Sequence, residues 1–295
     1  MVYGADKKHD ILSILFRHPL QQTISLPKVD PMNTFLNPHK PLSPTARKVI
    51  GIGTFVFIIG VWALISGLGI VGQNKLPSPW SVVKAFSYLA WYEGESQLLS
   101  AIFASTTRVL IASTFVILIG IPVGILMGSS PSINASISPL IDPLRSAPVV
   151  AILPILVMWF GLDELMKIIF LFLGAVVYMI PMVRDAIKAV PYTYWESARD
   201  LGGTKVECIT RAVLPMAMPR IADGIIVSVS IMWTYINVAE YVNATTGLGS
   251  LITTAKRFSA MDQVFAVIIV IIFLAFLTFQ GMTALKRKIY PWEGK

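Results

Sequence analysis

The chain has 295 residues, of which 55% are hydrophobic and only 14% are charged. A soluble domain carries about 25% charged residues, so the composition argues against an ordinary soluble domain, and the net charge of +8 matters mainly for where it lies. The single cysteine, Cys208, excludes an intrachain disulfide. Long runs without charge predict a polytopic membrane protein with an all-α fold.

The first 48 residues form a polar lead that contains seven Lys and Arg residues. A cleavable signal peptide is not expected, because the apolar patch 11–16 is short and is followed by Arg17-His18-Pro19. This patch fits two interpretations, a small helix lying on the bilayer surface or part of a disordered tail. The lead also holds all three histidines, without paired ligand spacing, which predicts no metal site.

Six apolar segments are predicted to cross a membrane and together form a transmembrane domain over residues 49–288, followed by a tail, 289–295. The spans are 49–71, 98–127, 137–160, 165–182, 221–241 and 263–285. The second is longer than the roughly 20 residues that a bilayer requires, so it is expected to tilt or to extend beyond the surface.

Four prolines fall in the third span and predict a kinked or interrupted helix there. They are Pro139, Pro143, Pro148 and Pro154.

The distribution of basic residues predicts the orientation of these spans. Of the 24 Lys and Arg residues, 18 fall on the side that holds both termini and the 184–220 loop, Arg145 being counted among them. Only five fall on the other side, and Arg108 lies within a span. The positive-inside rule therefore predicts that both termini and the 184–220 loop are cytoplasmic.

That loop holds a polar island predicted to form two short helices folded at a glycine. The spacings Thr193–Glu196 and Thr204–Glu207 are those of two capping boxes. Gly202 is expected to adopt the left-handed conformation that ends the first helix, and Pro215 is expected to end the second. A rigid pair of this kind suits a mechanical contact with another protein; the alternative is an ordinary capped loop.

Residues 196–215 resemble the "EAA" signature of permeases of ATP-binding-cassette (ABC) importers, with a Glu-Ala-Ala start, a Gly after three more residues and an Ile-x-Leu-Pro end. Ser197 replaces an Ala, and Ala212 stands where Ile is usual. The resemblance implies a type I ABC importer permease fold in which residues 194–214 are the coupling helices that dock on an ATPase subunit. The coupling residues it implies are Glu196, Ser197, Ala198, Gly202, Leu214 and Pro215.

The resemblance covers residues 75–260, and within the family the chain is similar to the branch that transports nitrate, sulfonates, taurine and bicarbonate. Further matching segments are Leu76-Pro-Ser-Pro79, Ser105-Thr-Thr-Arg-Val109, Pro148-Val-Val-Ala-Ile-Leu-Pro154, Trp159-Phe-Gly161, Ala239-Glu240 and Gly247-Leu-Gly249. It implies a homodimeric permease in the bacterial cytoplasmic (inner) membrane, two cytoplasmic ATPase subunits and an external solute-binding protein. The solute would be a small oxyanion such as nitrate or bicarbonate, or a sulfonate such as taurine.

The sequence lacks a Gly-x-x-x-x-Gly-Lys-Ser/Thr phosphate loop, so the energy for uphill transport must come from a partner or an ion gradient. We therefore expect a non-catalytic subunit that binds no cofactor itself, with ATP and Mg²⁺ used by the partner. The alternatives are an ion-coupled secondary transporter of a small anion, which usually holds acids within its spans, and a membrane enzyme or scaffold.

Several polar side chains are candidates for the translocation path. Arg108 is expected either to pair with Glu240 or to face an anionic solute. The alternative is that Arg108 extends to the lipid headgroups. Ser230, Thr234 and Asn237 share one face of the fifth span by their spacing. They are predicted either to line the path or to bond to neighbouring helices and their own backbone.

Overall fold

A computed structural model describes residues 42–90, 96–242 and 245–293, and within these ranges the regular secondary structure is entirely helical. The possible interfacial helix and the histidines of the lead lie outside the described residues. The chain divides into two compact units, residues 1–57 and 58–295, so the division falls inside the first helix. In the first unit the described helical residues are nearly all exposed. The second unit contains the core and both candidate sites.

Ten helices are described, and we number them in chain order. They are α1 (Pro44–Gly67), α2 (Pro79–Ala90), α3 (Gln97–Ser129), α4 (Pro131–Leu144), α5 (Leu153–Phe160), α6 (Glu164–Lys188), α7 (Tyr192–Asp200), α8 (Lys205–Tyr241), α9 (Leu248–Arg257) and α10 (Met261–Ile289). A short 3₁₀ segment, Val149–Ile152, precedes α5.

Five of these helices, α1, α3, α6, α8 and α10, are long and apolar enough to cross a membrane. A sixth crossing is possible only if α4 and the Val149–Phe160 segment count as one span, and these two are bent by 90° at a short break. The interruption that the four prolines predict is therefore present. Pro139 and Pro143 lie within α4, and Pro148 caps the 3₁₀ segment.

The core is built around close packing of α3 against α6. Gly120, Gly124 and Gly128 lie four residues apart on the face of α3 that meets α6. A Cβ atom at Gly128 would lie 2.6 Å from the Cβ of Ile187, so nothing larger than glycine fits there without movement. Small residues at such spacing let two helix backbones approach closely, which is a recurrent way of packing helices in membranes.

Candidate functional site

The α7 helix and the turn after it form the first candidate site, and its start differs from the sequence expectation. The helix begins after Pro191, with no side-chain cap, so the predicted capping box between Thr193 and Glu196 is wrong. Thr193 lies inside the helix, where its carbonyl accepts a 2.8 Å hydrogen bond from the Ser197 hydroxyl. Pro191 supplies a fixed φ and the helix start, which moves the boundary ahead of Thr193.

The second predicted capping box is present at the start of α8. The Thr204 hydroxyl accepts from the Glu207 N–H at 3.3 Å, and the Glu207 carboxylate accepts from the Thr204 N–H at 3.0 Å.

The turn between the two helices requires glycine at two successive positions. Gly202 has φ +84°, the left-handed region that the sequence predicts for it. The N–H of Gly203 donates to the carbonyl of Ala198 at 3.0 Å, and a Cβ at Gly203 would lie 2.7 Å from that same oxygen. This geometry fixes the angle between α7 and α8.

Pro215 does not end the second helix, so that expectation is wrong. A π-helical turn, Cys208–Val213, leads directly into the α-helical remainder of α8, which continues to Tyr241. Within the π turn the Leu214 N–H donates to the carbonyl of Ile209, five residues back. This irregular turn accommodates the missing N–H of the proline, and the chain stays helical from the turn at Gly202 to the far end of the bundle.

The surface formed by α7 and the start of α8 is exposed, apolar and concave. Leu201 is 90% exposed, Val206 68% and Tyr194 41%. Beside them lies a cavity of about 670 Å³. Its lining includes Ser197, Ala198, Gly202, Pro215, Tyr194, Leu201, Gly203, Glu207, Cys208, Arg211, Ala212 and Met216.

Four of the six coupling residues predicted from the sequence line this cavity, and Glu196 and Leu214 lie next to it in the chain. The Glu196 carboxylate is exposed and makes no hydrogen bond to any residue that the structure describes. Their role in docking stays a prediction.

The second candidate site is a buried charge cluster at the opposite end of α6 and α8, centred on Arg108 of α3. Its guanidinium uses all five N–H donors. Nε and Nη2 donate to the Glu164 carboxylate at 2.5 and 2.7 Å, and Nη1 donates to Glu240 Oε1 at 2.5 Å. The remaining two donors go to the carbonyl and hydroxyl of Thr246 at 3.0 and 2.6 Å. The predicted pairing of Arg108 with Glu240 is thus present.

Glu240 is fully buried and joins the cluster to the 245–249 loop. Besides Arg108, it accepts hydrogen bonds from the Ser105 hydroxyl at 2.7 Å and from the Gly249 N–H at 2.8 Å. Both oxygens of the carboxylate thus accept hydrogen bonds, as a buried charge requires.

Glu164 and Lys167 belong to this cluster, and the sequence reasoning did not place them there. Lys167 is buried, and its ammonium donates to Glu164 at 3.0 Å. The i, i+3 spacing of an acid and a base at the start of a span was the available signal, because such residues face each other on a helix.

The three polar residues of the fifth predicted span, Ser230, Thr234 and Asn237, make different contacts. The Ser230 and Thr234 hydroxyls donate to carbonyls four residues back, at 2.8 and 3.5 Å, and Thr234 is exposed. The buried Oδ1 atom of Asn237 has no partner among the described residues. That these residues, Arg108 and Glu240 line a translocation path stays a prediction.

We expect Gly247→Ala to disrupt the buried cluster. Gly247 has φ +108°, and a Cβ there would lie 2.5 Å from the Glu240 carboxylate carbon. Backbone strain and steric overlap act together, so the apparent melting temperature in detergent should fall and Thr246 should lose its register with Arg108. Gly281→Ala is the matched control, because a Cβ at Gly281 meets nothing within 4 Å. Equal melting temperatures for the two variants would contradict this assignment.

Comparison with known proteins gives a consistent set of relatives. Residues 120–290 match the family described as binding-protein-dependent transport system inner membrane component. The chain is 33% identical over 255 residues to the taurine transport system permease protein TauC of Escherichia coli, covering 85% of this chain and 93% of TauC. It is 33% identical over 238 residues to the putative aliphatic sulfonates transport permease protein SsuC of Bacillus subtilis, covering 80% and 84%. It is 28% identical over 228 residues to the bicarbonate transport system permease protein CmpB of Synechococcus elongatus, covering 74% and 81%.

Two solved structures share the fold. A chain of the inward-facing MetNI methionine ABC transporter aligns with a TM-score of 0.59 at 20% identity, covering 65% of this chain and 96% of that one. A chain of an amino acid ABC transporter aligns with a TM-score of 0.54 at 20% identity, covering 71% and 96%. The all-α architecture expected from the sequence is therefore one that ABC transporters use.

Proposed function

Because the chain belongs to the family of binding-protein-dependent transport system inner membrane components, we propose that it is the membrane-spanning permease of an importer for a small anion, driven by ATPase subunits that dock on α7. The permease is the transport component, and ATP and Mg²⁺ are bound by the partner. Two ATPase subunits, a second copy of the permease and an external solute-binding protein complete the proposed assembly.

The observation that carries the docking proposal is the exposed apolar surface of α7. A hydrophobic side chain such as Leu201, 90% exposed on a turn fixed by two glycines, gains stability only when another surface covers it. The adjoining cavity of about 670 Å³ provides a recess beside α7 into which a partner can fit. Glu196, exposed and without a partner among the described residues, adds a charge next to Ser197, which lines the cavity.

The side of the membrane on which α7 lies decides which end of the permease would face the ATPase subunits and which the solute-binding protein. We place α7 and both termini in the cytoplasm on the basis of the excess of Lys and Arg on that side. The Arg108 cluster, at the opposite end of α6 and α8, then lies toward the exterior. There it would meet the solute-binding protein.

The solute class rests on the relatives. Their names assign them to the transport of taurine, aliphatic sulfonates and bicarbonate, all of which carry a small negatively charged oxygen-containing group. We therefore propose a sulfonate or an oxyanion as the solute of this chain.

The second candidate, an ion-coupled carrier of a small anion, is less well supported by the ion pairs. A proton-coupled carrier requires an acid that can change its charge within the bundle. Three acids near the ends of the apolar segments are held in ion pairs: Glu240 with Arg108, Asp142 with Arg184 and Asp223 with Lys286.

Reconstitution tests the two candidates directly. The permease and its ATPase subunits are incorporated into proteoliposomes with the solute-binding protein on the outside and ATP within, and uptake of radiolabelled taurine, an alkanesulfonate, nitrate or bicarbonate is measured. We expect uptake of one of these solutes to require ATP and to survive a protonophore. Uptake that needs no ATPase subunit and collapses with the protonophore would support the ion-coupled carrier instead.

A further inference from the structure

We infer that Arg145, at the break between α4 and the Val149–Ile152 segment, binds the anionic group of the solute inside the membrane. This inference rests on the proposed function. The count of basic residues along the sequence placed Arg145 on the cytoplasmic side, at the start of the third span, whereas we place it within the membrane.

The depth of Arg145 follows from its contact with α6. The Tyr178 hydroxyl donates a 3.0 Å hydrogen bond to the carbonyl of Arg145. The ten residues from Tyr178 to Lys188 rise roughly 15 Å, and the fourteen from Glu164 to Tyr178 rise roughly 21 Å. We place the midpoint of α6 at the centre of a hydrocarbon core about 30 Å thick, and Arg145 then lies inside that core rather than at either surface.

At this depth the chain is neither helical nor covered. Residues 145–148, which follow α4, are all exposed within this chain, and their hydrogen bonds are those of a turn, such as the Ser146 N–H donating to the Pro143 carbonyl at 3.1 Å. Irregular backbone at membrane depth is tolerated only where it is buried in protein or lines a water-filled cavity. The bend therefore faces a wet path or another protein surface, and not lipid.

The Arg145 guanidinium is free to bind a ligand, in contrast to that of Arg108. It makes no ion pair or hydrogen bond with the residues that the structure describes, whereas all five donors of Arg108 are occupied. Asp142, three residues earlier in the chain, pairs instead with Arg184, whose Nη1 lies 3.0 and 2.9 Å from its two carboxylate oxygens.

An unpaired arginine within a membrane normally faces a partner or an aqueous cavity, because exposure of the charge to lipid is costly. Its planar fork of N–H donors matches the paired oxygens of a sulfonate, nitrate or bicarbonate, to which it can donate two parallel hydrogen bonds. Tyr178 acts as a positioning residue, because its bond to the Arg145 carbonyl fixes the place of the bend. The geometry assigns Arg145 to anion recognition and leaves Arg108 to structural pairing.

The first test compares Arg145→Gln and Arg145→Lys with Arg287→Gln in proteoliposomes; Arg287 is an exposed arginine in the last turn of α10. We expect Arg145→Gln to lower uptake about tenfold or more and Arg145→Lys to retain part of it. Arg287→Gln should transport like the wild type. Co-purification of the ATPase and basal ATP hydrolysis should be unchanged in all three.

The second test restores the charge chemically. Cys208, the only cysteine, is buried, so Arg145→Cys creates one accessible thiol and the untreated wild type controls for background labelling. A water-soluble cationic methanethiosulfonate should label Arg145→Cys and raise its uptake, excess solute should slow the labelling, and an anionic methanethiosulfonate should not restore uptake.

The outcomes separate this inference from the function on which it rests. If the wild type shows no ATP-dependent uptake of any anion tested, the proposed function fails. If the wild type transports and Arg145→Gln transports equally well, only the role of Arg145 is overturned. It is also overturned if Arg145→Cys resists every water-soluble reagent or if Arg145→Gln loses its ATPase partner, because the residue would then contact lipid or serve assembly.

Discussion

Arg108→Met is expected to lower the apparent melting temperature of the detergent-solubilised permease by on the order of 10 °C, which corresponds to a loss of about 3–5 kcal/mol. The substitution leaves Glu240 charged, fully buried and without its cationic partner. Leaving one charge of a buried pair uncompensated is costly because water cannot reach it. The measurement is a thermal aggregation curve monitored by fluorescence-detected gel filtration.

Adding Glu240→Gln to Arg108→Met should recover part of the loss. Glutamine removes the stranded charge, and its amide oxygen can replace Oε2 as the acceptor for the Gly249 N–H donor. The Ser105 hydroxyl, which donates to Glu240 Oε1, can instead accept from the amide N–H of the glutamine. A simple exchange of the two charges should not help, because an arginine at position 240 offers those donors no acceptor. Glu164→Gln is the control and should cost less, because the Glu164 side chain is 55% exposed. A double variant no more stable than Arg108→Met would contradict this account.

Leu201→Asp is expected to abolish co-purification of the ATPase subunit while leaving the permease folded. The side chain is 90% exposed, so within this chain the substitution removes almost no packing. At the centre of a docking surface the same change would bury an unpaired carboxylate. A loss of at least about 2 kcal/mol in binding, roughly 30-fold in affinity, is typical of such positions. Affinity capture of the permease from detergent, with the ATPase quantified by immunoblot, provides the measurement.

Phe258→Asp provides the matched control for this experiment. Phe258 is 80% exposed and follows α9, at the end of the bundle that holds the Arg108 cluster, so it is equally apolar but remote from α7. The ATPase should be retained by Phe258→Asp, and both variants should show the gel-filtration profile of the wild type. Retention of the ATPase by Leu201→Asp would remove the argument for docking on α7.

The features of this chain that depend on local chemistry were predictable from its sequence. Uncharged runs locate the apolar helices, four prolines predict the break near Arg145, and the Thr204–Glu207 spacing predicts a capping box that the structure contains. The left-handed conformation of Gly202 follows from its place after a short polar helix. Each of these features is decided by a few neighbouring residues.

The remainder depends on contacts between distant segments or on competing local effects. Glu164 joins Arg108 only because α3 and α6 pack at the distance that the glycines of α3 permit. Thr193 lost its expected capping role because Pro191 starts the helix earlier. Pro215 failed to stop α8 because the preceding π turn absorbs it. Sequence spacing alone does not show which of two competing local effects prevails.

The continuity of α8 through Pro215 has a mechanical consequence. The helix extends from the capped turn at Lys205 to Tyr241, a distance of roughly 54 Å, and Glu240 sits one residue from its far end. When a helix of that length moves as one body, tilting it by about 5° about one end displaces the other end by about 5 Å. A displacement of the turn at Gly202 would thus be transmitted through one continuous helix to the Arg108–Glu240 ion pair.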